Sequence, residues 1–237
     1  MAKRRHTPPT GADAEGPGDL RIVGGSFRGT KLLSEPHRQT TGAGAGQLVT
    51  RPMKHRVREA IFNLVGPEAE GKHAIDVFAG TGALGLEAIS RGAASATFIE
   101  RHVPTADVVR HNIASLRVED RSELLITSAF VWVERDLTTG AWAPGPVAAA
   151  GPAPPWLVFV SPPYAFFVER EEQMLTLVGA LIDHAPPGSI VVVEADERFD
   201  FERLPGRVKQ SRHDDGWDVR PYPPAVVGVW RTSERSD

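Results

Sequence analysis

The chain has 237 residues, 41% of them hydrophobic, with no cysteine and a formal net charge of -3. At about 100 to 200 residues per domain it holds one large domain or one domain with an appendage, and a chain of this size buries enough surface to need no metal or disulfide. The missing thiols exclude a disulfide framework, an iron-sulfur cluster, a Cys-ligated zinc and a thiol nucleophile. Residues 1–19, rich in Pro, Gly, Thr and charge without apolar periodicity, read as a disordered basic arm. Met1 to Thr10 lack an apolar core, so no secretory leader is expected. No apolar run approaches the roughly 18 residues of a membrane span, and a soluble cytoplasmic protein is the expectation. Residues 1–60 carry 11 Lys and Arg against 5 Asp and Glu, a net +6, which leaves -9 on the remainder. A basic quarter on an acidic body suits a polyanionic partner, because neutralised phosphates release counterions; a solvated tail and solvated helix faces account for the same charges.

Leu20 to Leu33 alternates apolar with polar or basic residues around Gly24-Gly25 and Arg28-Gly29, which predicts a short twisted hairpin carrying Arg21, Arg28 and Lys31. Thr40 to Gln47 reads as a Gly/Ala-rich loop. From Thr50 the period becomes helical: Val57, Ala60, Ile61, Leu64 and Val65 form one stripe, Thr50 is the candidate N-cap, and Gly66-Pro67 stops the helix. Arg51, Lys54, His55 and Arg58 then fall on the opposite face as a basic ridge. Residues 20–66 are expected to be an extension that contacts RNA, ahead of a domain over 67–237.

From His73 strands and helices alternate. Strands are predicted at Ala74 to Phe78, Ala96 to Ile99, Leu124 to Ile126, Trp156 to Val160 and Ile190 to Val193. Helices are predicted at Ala83 to Arg91, Val103 to Leu116, near Phe130 to Leu137, and from Glu169 to Asp183, with a Pro/Ala/Gly insert over 143–155. This pattern implies an α/β fold with a mostly parallel, doubly wound sheet and helices on both faces. Val208 to Ser211 and Val226 to Arg231 read as two last strands joined around Asp214-Asp215-Gly216.

Two connections carry the chemistry. Phe78-Ala79-Gly80-Thr81-Gly82-Ala83-Leu84-Gly85 follows the first of these strands and opens a helix, which places glycines and free N-H groups where an electronegative ligand can approach. Glu100, twenty residues after Gly80, stands where an acid can accept both hydroxyls of a ribose. The loop therefore predicts a nucleotide-like cofactor, and its spacing alone also fits a nicotinamide oxidoreductase. Asp76, within the strand, is a carboxylate suited to the cationic amino-acid end of S-adenosylmethionine.

The second connection is Ser161-Pro162-Pro163-Tyr164, directly after the apolar strand. Consecutive prolines cannot continue a paired strand and fix a rigid turn where the ligand crevice of such folds opens. An exocyclic base amine is a poor nucleophile because its lone pair is delocalised into the ring. A serine oxygen and a proline carbonyl offered to its two N-H groups hold the nitrogen pyramidal, and the Tyr164 ring can stack on the base.

Together these segments resemble the RsmD-like family of bacterial methyltransferases, which transfer a methyl group from S-adenosylmethionine to the N2 amine of a guanine in small-subunit rRNA. The resemblance runs from about Leu20 to Val193. It rests on Arg21-Ile22-Val23-Gly24-Gly25, Thr50-Arg51-Pro52, Arg56-Val57-Arg58-Glu59, Ile61-Phe62-Asn63, the glycine segment from Asp76 to Ala88, Ser90-Arg91-Gly92-Ala93 and the proline turn. It implies a class I methyltransferase fold and S-adenosylmethionine contacts from Asp76, Phe78, Gly80, Gly82, Gly85, Glu100, Arg101, Ser128 and Ala129. It also implies a catalytic turn of Ser161, Pro162, Pro163 and Tyr164, and contacts to rRNA or the assembling small ribosomal subunit from Arg21, Arg28, Lys31, Arg51, Lys54 and Arg58. A monomer without metal is expected. Most family members carry Asp at the position of Ser161, while Ser-Pro-Pro-Tyr resembles the turn of DNA cytosine-N4 methyltransferases. Cytosine N4 and adenine N6 thus stand as alternative targets, and a non-catalytic rRNA-binding assembly protein as an alternative class. The eight histidines form no ligand pattern, and Trp132, Trp142 and Trp156 read as packing residues.

Overall fold

Four strands are buried along their whole length: β1 (His73–Asp76), β2 (Ser95–Ile99), β4 (Trp156–Val160) and β5 (Ile190–Asp196). Burial on both faces is why Trp156–Val160 and Ile190 to Val193 read as continuous apolar runs, while β1 and β2 also bury the polar His73, Asp76, Ser95 and Thr97. In the computed structural model, residues 20–34, 51–144, 153–211 and 214–233 are described, the side chains of 51–55 excepted. The basic arm, the loop from Thr40 to Gln47, Thr50 and most of the 143–155 insert lie outside the described residues.

With β3 (Ser122–Leu125), β6 (Asp218–Tyr222) and β7 (Ala225–Arg231) the strands form one seven-stranded sheet in the order β3-β2-β1-β4-β5-β7-β6. The first five run parallel, and β7 and β6 are antiparallel additions. Because side chains alternate between faces, the sheet sorts its neighbours into two cores. Ala74, Phe98, Leu157, Phe159 and Val192 pack with α1 (Arg51–Val65), α2 (Ala83–Ser90) and α3 (Val103–Leu116). Ile75, Val158, Val160, Val191 and Val193 pack on the other face with α4 (Ala129–Trp132), the π turn Val133–Leu137 that continues it, and α6 (Glu171–His184). The short α5 (Phe166–Glu169) precedes α6 and contributes Phe167 to this second core. The doubly wound α/β architecture expected from the alternation, and the class I fold implied by the resemblance, is the one that forms.

Two details differ from the sequence reading. Val208 to Ser211 is not a strand: Val208 makes a single parallel bridge to Trp217, and the last hairpin joins β6 to β7 through Pro223-Pro224. The run Asp218–Tyr222 contains Pro221, which argues against a central strand but is tolerated on an edge, and β6 is an edge. The predicted N-terminal hairpin forms around an antiparallel bridge, Arg21 to Lys31, with backbone hydrogen bonds joining Ile22 to Gly29 and Thr30 and Leu32 to Leu20, and with Ile22 and Leu32 buried in the same core as α1 to α3. Residues 20–33 and α1 thus share a core with the sheet.

Candidate active site

From β1 the strand order runs outward through β2 and β3 on one side and through β4 and β5 on the other. In such a sheet the connections leaving β1 and β4 diverge to opposite faces and open a crevice beyond the carboxyl ends of the strands. Asp76 is in register with Phe159, and Val77 N-H donates to the Phe159 carbonyl at 3.0 Å, so the glycine loop and the proline turn leave the sheet side by side.

Gly80 and Gly82 adopt φ of 55° and 78°, a left-handed backbone that side chains resist, and the Gly82 N-H closes the turn on the Ala79 carbonyl at 2.7 Å. Gly85 is required for a different reason: a Cβ there would lie 2.4 Å from Cε1 of Phe98 on β2. That close approach lets the first turn of α2 reach Asp76, whose Oδ2 accepts the Gly85 N-H at 3.1 Å. The other oxygen, Oδ1, is buried without a hydrogen-bond partner. Burial, and secondarily the Glu100 carboxylate, push the Asp76 pKa up to about 7 against the opposing pull of the Gly85 amide. An unpartnered, buried carboxylate oxygen beside a glycine cradle invites a cationic ligand that would complete its hydrogen bonding. On this ground the residues fit the sulfonium cofactor implied by the resemblance.

Glu100 braces the loop as well as facing the crevice. Its Oε2 accepts the Gly80 N-H at 3.0 Å and its Oε1 the His102 N-H at 2.8 Å, leaving a second lone pair on each oxygen for a ligand hydroxyl. Arg101 is exposed beside it. Ser128 precedes α4 with extended backbone and makes no side-chain capping bond, and Ala129 is buried below it. Phe78, Phe130 and Phe166 meet at centroid distances of 6.0 to 6.2 Å, joining the ends of β1, β3 and β4 in one aromatic wall. Among the described residues no group of three or more potential metal ligands forms.

The proline turn carries a partner that sequence reasoning missed. Ser161 Oγ donates to Glu194 Oε2 at 2.5 Å, and the Tyr164 hydroxyl donates to Glu194 Oε1 at 2.8 Å. Glu194 lies on β5, next to β4, and is 7% exposed. Its only sequence signal is an acid inside an apolar strand. Burial first, then the Glu194 carboxylate, push the Tyr164 phenol upward, so this hydroxyl is a donor and not a base. The Pro163 carbonyl accepts the Phe166 N-H at 2.9 Å, and Pro162 is buried in the turn.

Of the basic residues, Arg28 and Lys31 are exposed on the hairpin, and Arg21 is partly buried with Nη1 donating to the Gly29 carbonyl at 2.9 Å. The side chains of Arg51 and Lys54 lie outside the described residues. Arg58 is a correction. Helical spacing places it on the solvent ridge, yet it is 5% exposed, because the hairpin folds back over α1 and covers it. Its Nη2 donates to the Arg21 carbonyl at 2.5 Å, and its Nε lies 3.8 Å from Glu87. Glu87, fully buried on α2, accepts the Val23 and Gly24 N-H groups at 2.7 Å each and Arg91 Nε at 2.8 Å. Asn112, also buried, exchanges hydrogen bonds with Leu33 and donates to the Thr81 carbonyl at 2.9 Å. The N-terminal segment is thus fastened to the glycine loop and to the helix it opens.

The profile of the family described as Conserved hypothetical protein 95 matches residues 20–217. The chain belongs to that family. It is the RsmD-like group to which its motifs point. The putative rRNA methyltransferase YlbH of Bacillus subtilis (strain 168) is 29% identical over 196 residues, 81% of this chain and 91% of that protein. Ribosomal RNA small subunit methyltransferase D of Escherichia coli (strain K12) is 42% identical over 102 residues, 43% of this chain and 46% of that protein. Among solved structures, a putative methyltransferase yhhF from Escherichia coli superposes with a TM-score of 0.61 at 24% identity, covering 92% of this chain and all of that one, a likeness of fold.

Proposed function

We propose that this RsmD-like chain is an S-adenosylmethionine-dependent methyltransferase that modifies an exocyclic base amine of small-subunit rRNA, with guanine N2 as the target. The observation that carries the reading is the side-by-side exit of two loops from β1 and β4, one leaving from Asp76, whose buried Oδ1 has no partner, the other forming a rigid Ser-Pro-Pro-Tyr turn. The names of the relatives support the same class of activity. When bound, the cofactor supplies an electrophilic methyl group on a sulfonium.

The protein's own residues then have distinct tasks. Asp76 Oδ1 receives the cationic end of the cofactor, and Glu100 accepts its ribose hydroxyls while keeping Gly80 in place. Ser161 Oγ and the Pro162 carbonyl accept the two amine N-H groups, and the Tyr164 ring, fixed through its hydroxyl, offers a face to the base. The target base leaves its stack at a cost of a few kcal/mol. Phosphate contacts from Arg28 and Lys31, with Arg21, Arg51 and Lys54 alongside, offset that cost. Residues 20–66 form the RNA-contacting extension, and the protein acts as a cytoplasmic monomer on assembling small subunits.

Mass spectrometry of rRNA from cells lacking the protein tests this reading. One methyl group missing from a small-subunit guanine is expected; a missing methyl on cytosine N4 or adenine N6 would reassign the target. Intact methylation together with no tritium transfer by purified protein to unmethylated subunits would refute it.

A further inference from the structure

We propose that Glu194 is the positioning residue of the turn: it turns the weak Ser161 hydroxyl into a charge-backed acceptor for the target amine and takes up the proton that methylation displaces. The inference rests on the reading above and deepens it.

A serine hydroxyl has one proton and two acceptor lone pairs, and where the proton points decides what the lone pairs can do. Here it is committed to Glu194 Oε2 at 2.5 Å, so both lone pairs are left to a ligand held in the turn. A hydroxyl that donates to a carboxylate is polarised and accepts more strongly, because charge-assisted bonds are roughly twice as strong as neutral ones. The second oxygen of the same carboxylate is occupied by the Tyr164 hydroxyl at 2.8 Å. One buried acid therefore fixes both the acceptor that meets the amine and the ring that meets the base. The strand Ile190–Asp196 is otherwise apolar up to Asp196, whose carboxylate is engaged by Arg198. The packing of the sheet has no need of an acid at 194, since its register partner on β7, Val227, is aliphatic.

In the step itself, the amine nitrogen forms its bond to the methyl carbon as the carbon–sulfur bond breaks, and that electron pair stays on sulfur. The excess proton on nitrogen passes to Ser161 Oγ as the serine proton passes to Glu194 Oε2. One positive charge on the donor and one negative charge on Glu194 are both neutralised, and the protonated acid later returns its proton to solvent.

The test compares single-turnover methyl transfer to unmethylated small subunits by the wild type, Glu194→Gln, Ser161→Asp and the double variant. Glu194→Gln keeps shape and loses charge; about a hundredfold lower single-turnover rate constant is expected with Kd for the donor within about twofold, the range general-base contributions cover. Ser161→Asp alone sets two carboxylates against each other and slows transfer. The double variant returns a single carboxylate to the turn and recovers at least about tenfold over Glu194→Gln, a rescue that a purely structural role would not produce. Without donor, the affinity of Glu194→Gln for the RNA substrate falls by about three- to tenfold, since a neutral acceptor replaces a charge-assisted one. A Glu194→Gln protein transferring within about threefold of wild type, or a double variant slower than either single one, overturns the proposal while leaving the methyltransferase reading intact. A wild type that transfers nothing overturns both. If Glu194→Gln melts early, the double variant, with its carboxylate restored, carries the comparison.

Discussion

Replacing Asp76 with Asn tests the reasoning about the cofactor site in the ligand-free protein. The side chain is 1% exposed, its Oδ2 takes the Gly85 N-H, and its Oδ1 has no partner. Its pKa is raised from 3.8 to about 7. Between those values the unfolded chain has lost the proton while the folded chain keeps it, so folded stability falls as pH rises through that window and levels off above about pH 7. At 1.36 kcal/mol per pH unit, the contribution lost between about pH 5 and about pH 7 is roughly 3 kcal/mol. Asn has no proton to lose and accepts the Gly85 N-H through its carbonyl. Urea unfolding of both proteins at steps from about pH 5 to about pH 8 should therefore show the Asn variant gaining on the wild type by about 3 kcal/mol, with background titrations cancelling in the difference. Cofactor binding should move the other way. Loss of a charge-assisted bond of about 1.5 to 3 kcal/mol weakens calorimetric affinity by about ten- to a hundredfold, and wild-type affinity alone should rise as pH passes through 7. Parallel pH–stability curves for the two proteins would mean that Asp76 ionises normally and that its burial has been misjudged.

The remaining predictions concern packing and RNA contact. Glu87→Ala leaves the half-buried Val23 and Gly24 N-H groups and Arg91 Nε without their acceptor and the buried Arg58 without its counter-charge; about 3 to 5 kcal/mol of stability should be lost, and limited proteolysis should open the chain near Val23. Gly85→Ala drives a methyl group to 2.4 Å from the Phe98 ring and should cost about 1 to 3 kcal/mol in chemical denaturation while weakening cofactor binding through the displaced Asp76 contact. Arg28→Ala and Lys31→Ala should each lower RNA affinity and reduce the slope of log affinity against log salt by about 0.7 to 0.9 per residue in filter binding, with the melting temperature unchanged for Arg28→Ala. Arg58→Ala is distinguished from them by its burial: it should lower the melting temperature and leave that slope unchanged.

What the sequence determined by itself is local or periodic. The helix Val103–Leu116 and the strand Trp156–Val160 fall where the apolar pattern predicts them, because burial imposes a period that composition reveals. The glycine loop was legible because left-handed backbone at Gly80 and Gly82 selects one residue type, and the proline turn because two prolines end a ladder whatever surrounds them. Contacts between residues far apart in the chain were decided only in three dimensions. Glu194 reaches Ser161 across 33 positions, Glu87 reaches Val23 across 64, and Asn112 reaches Leu33 across 79. Nothing in the identity of an acid or an amide says which distant segment will be laid against it. Arg58 shows the same limit from the opposite side: its helical position was read correctly, but the hairpin that covers it is a tertiary choice, made where Ile22 and Leu32 could bury against α1 to α3. Periodicity reports which face of an element is apolar, and only packing determines what lies on the other face.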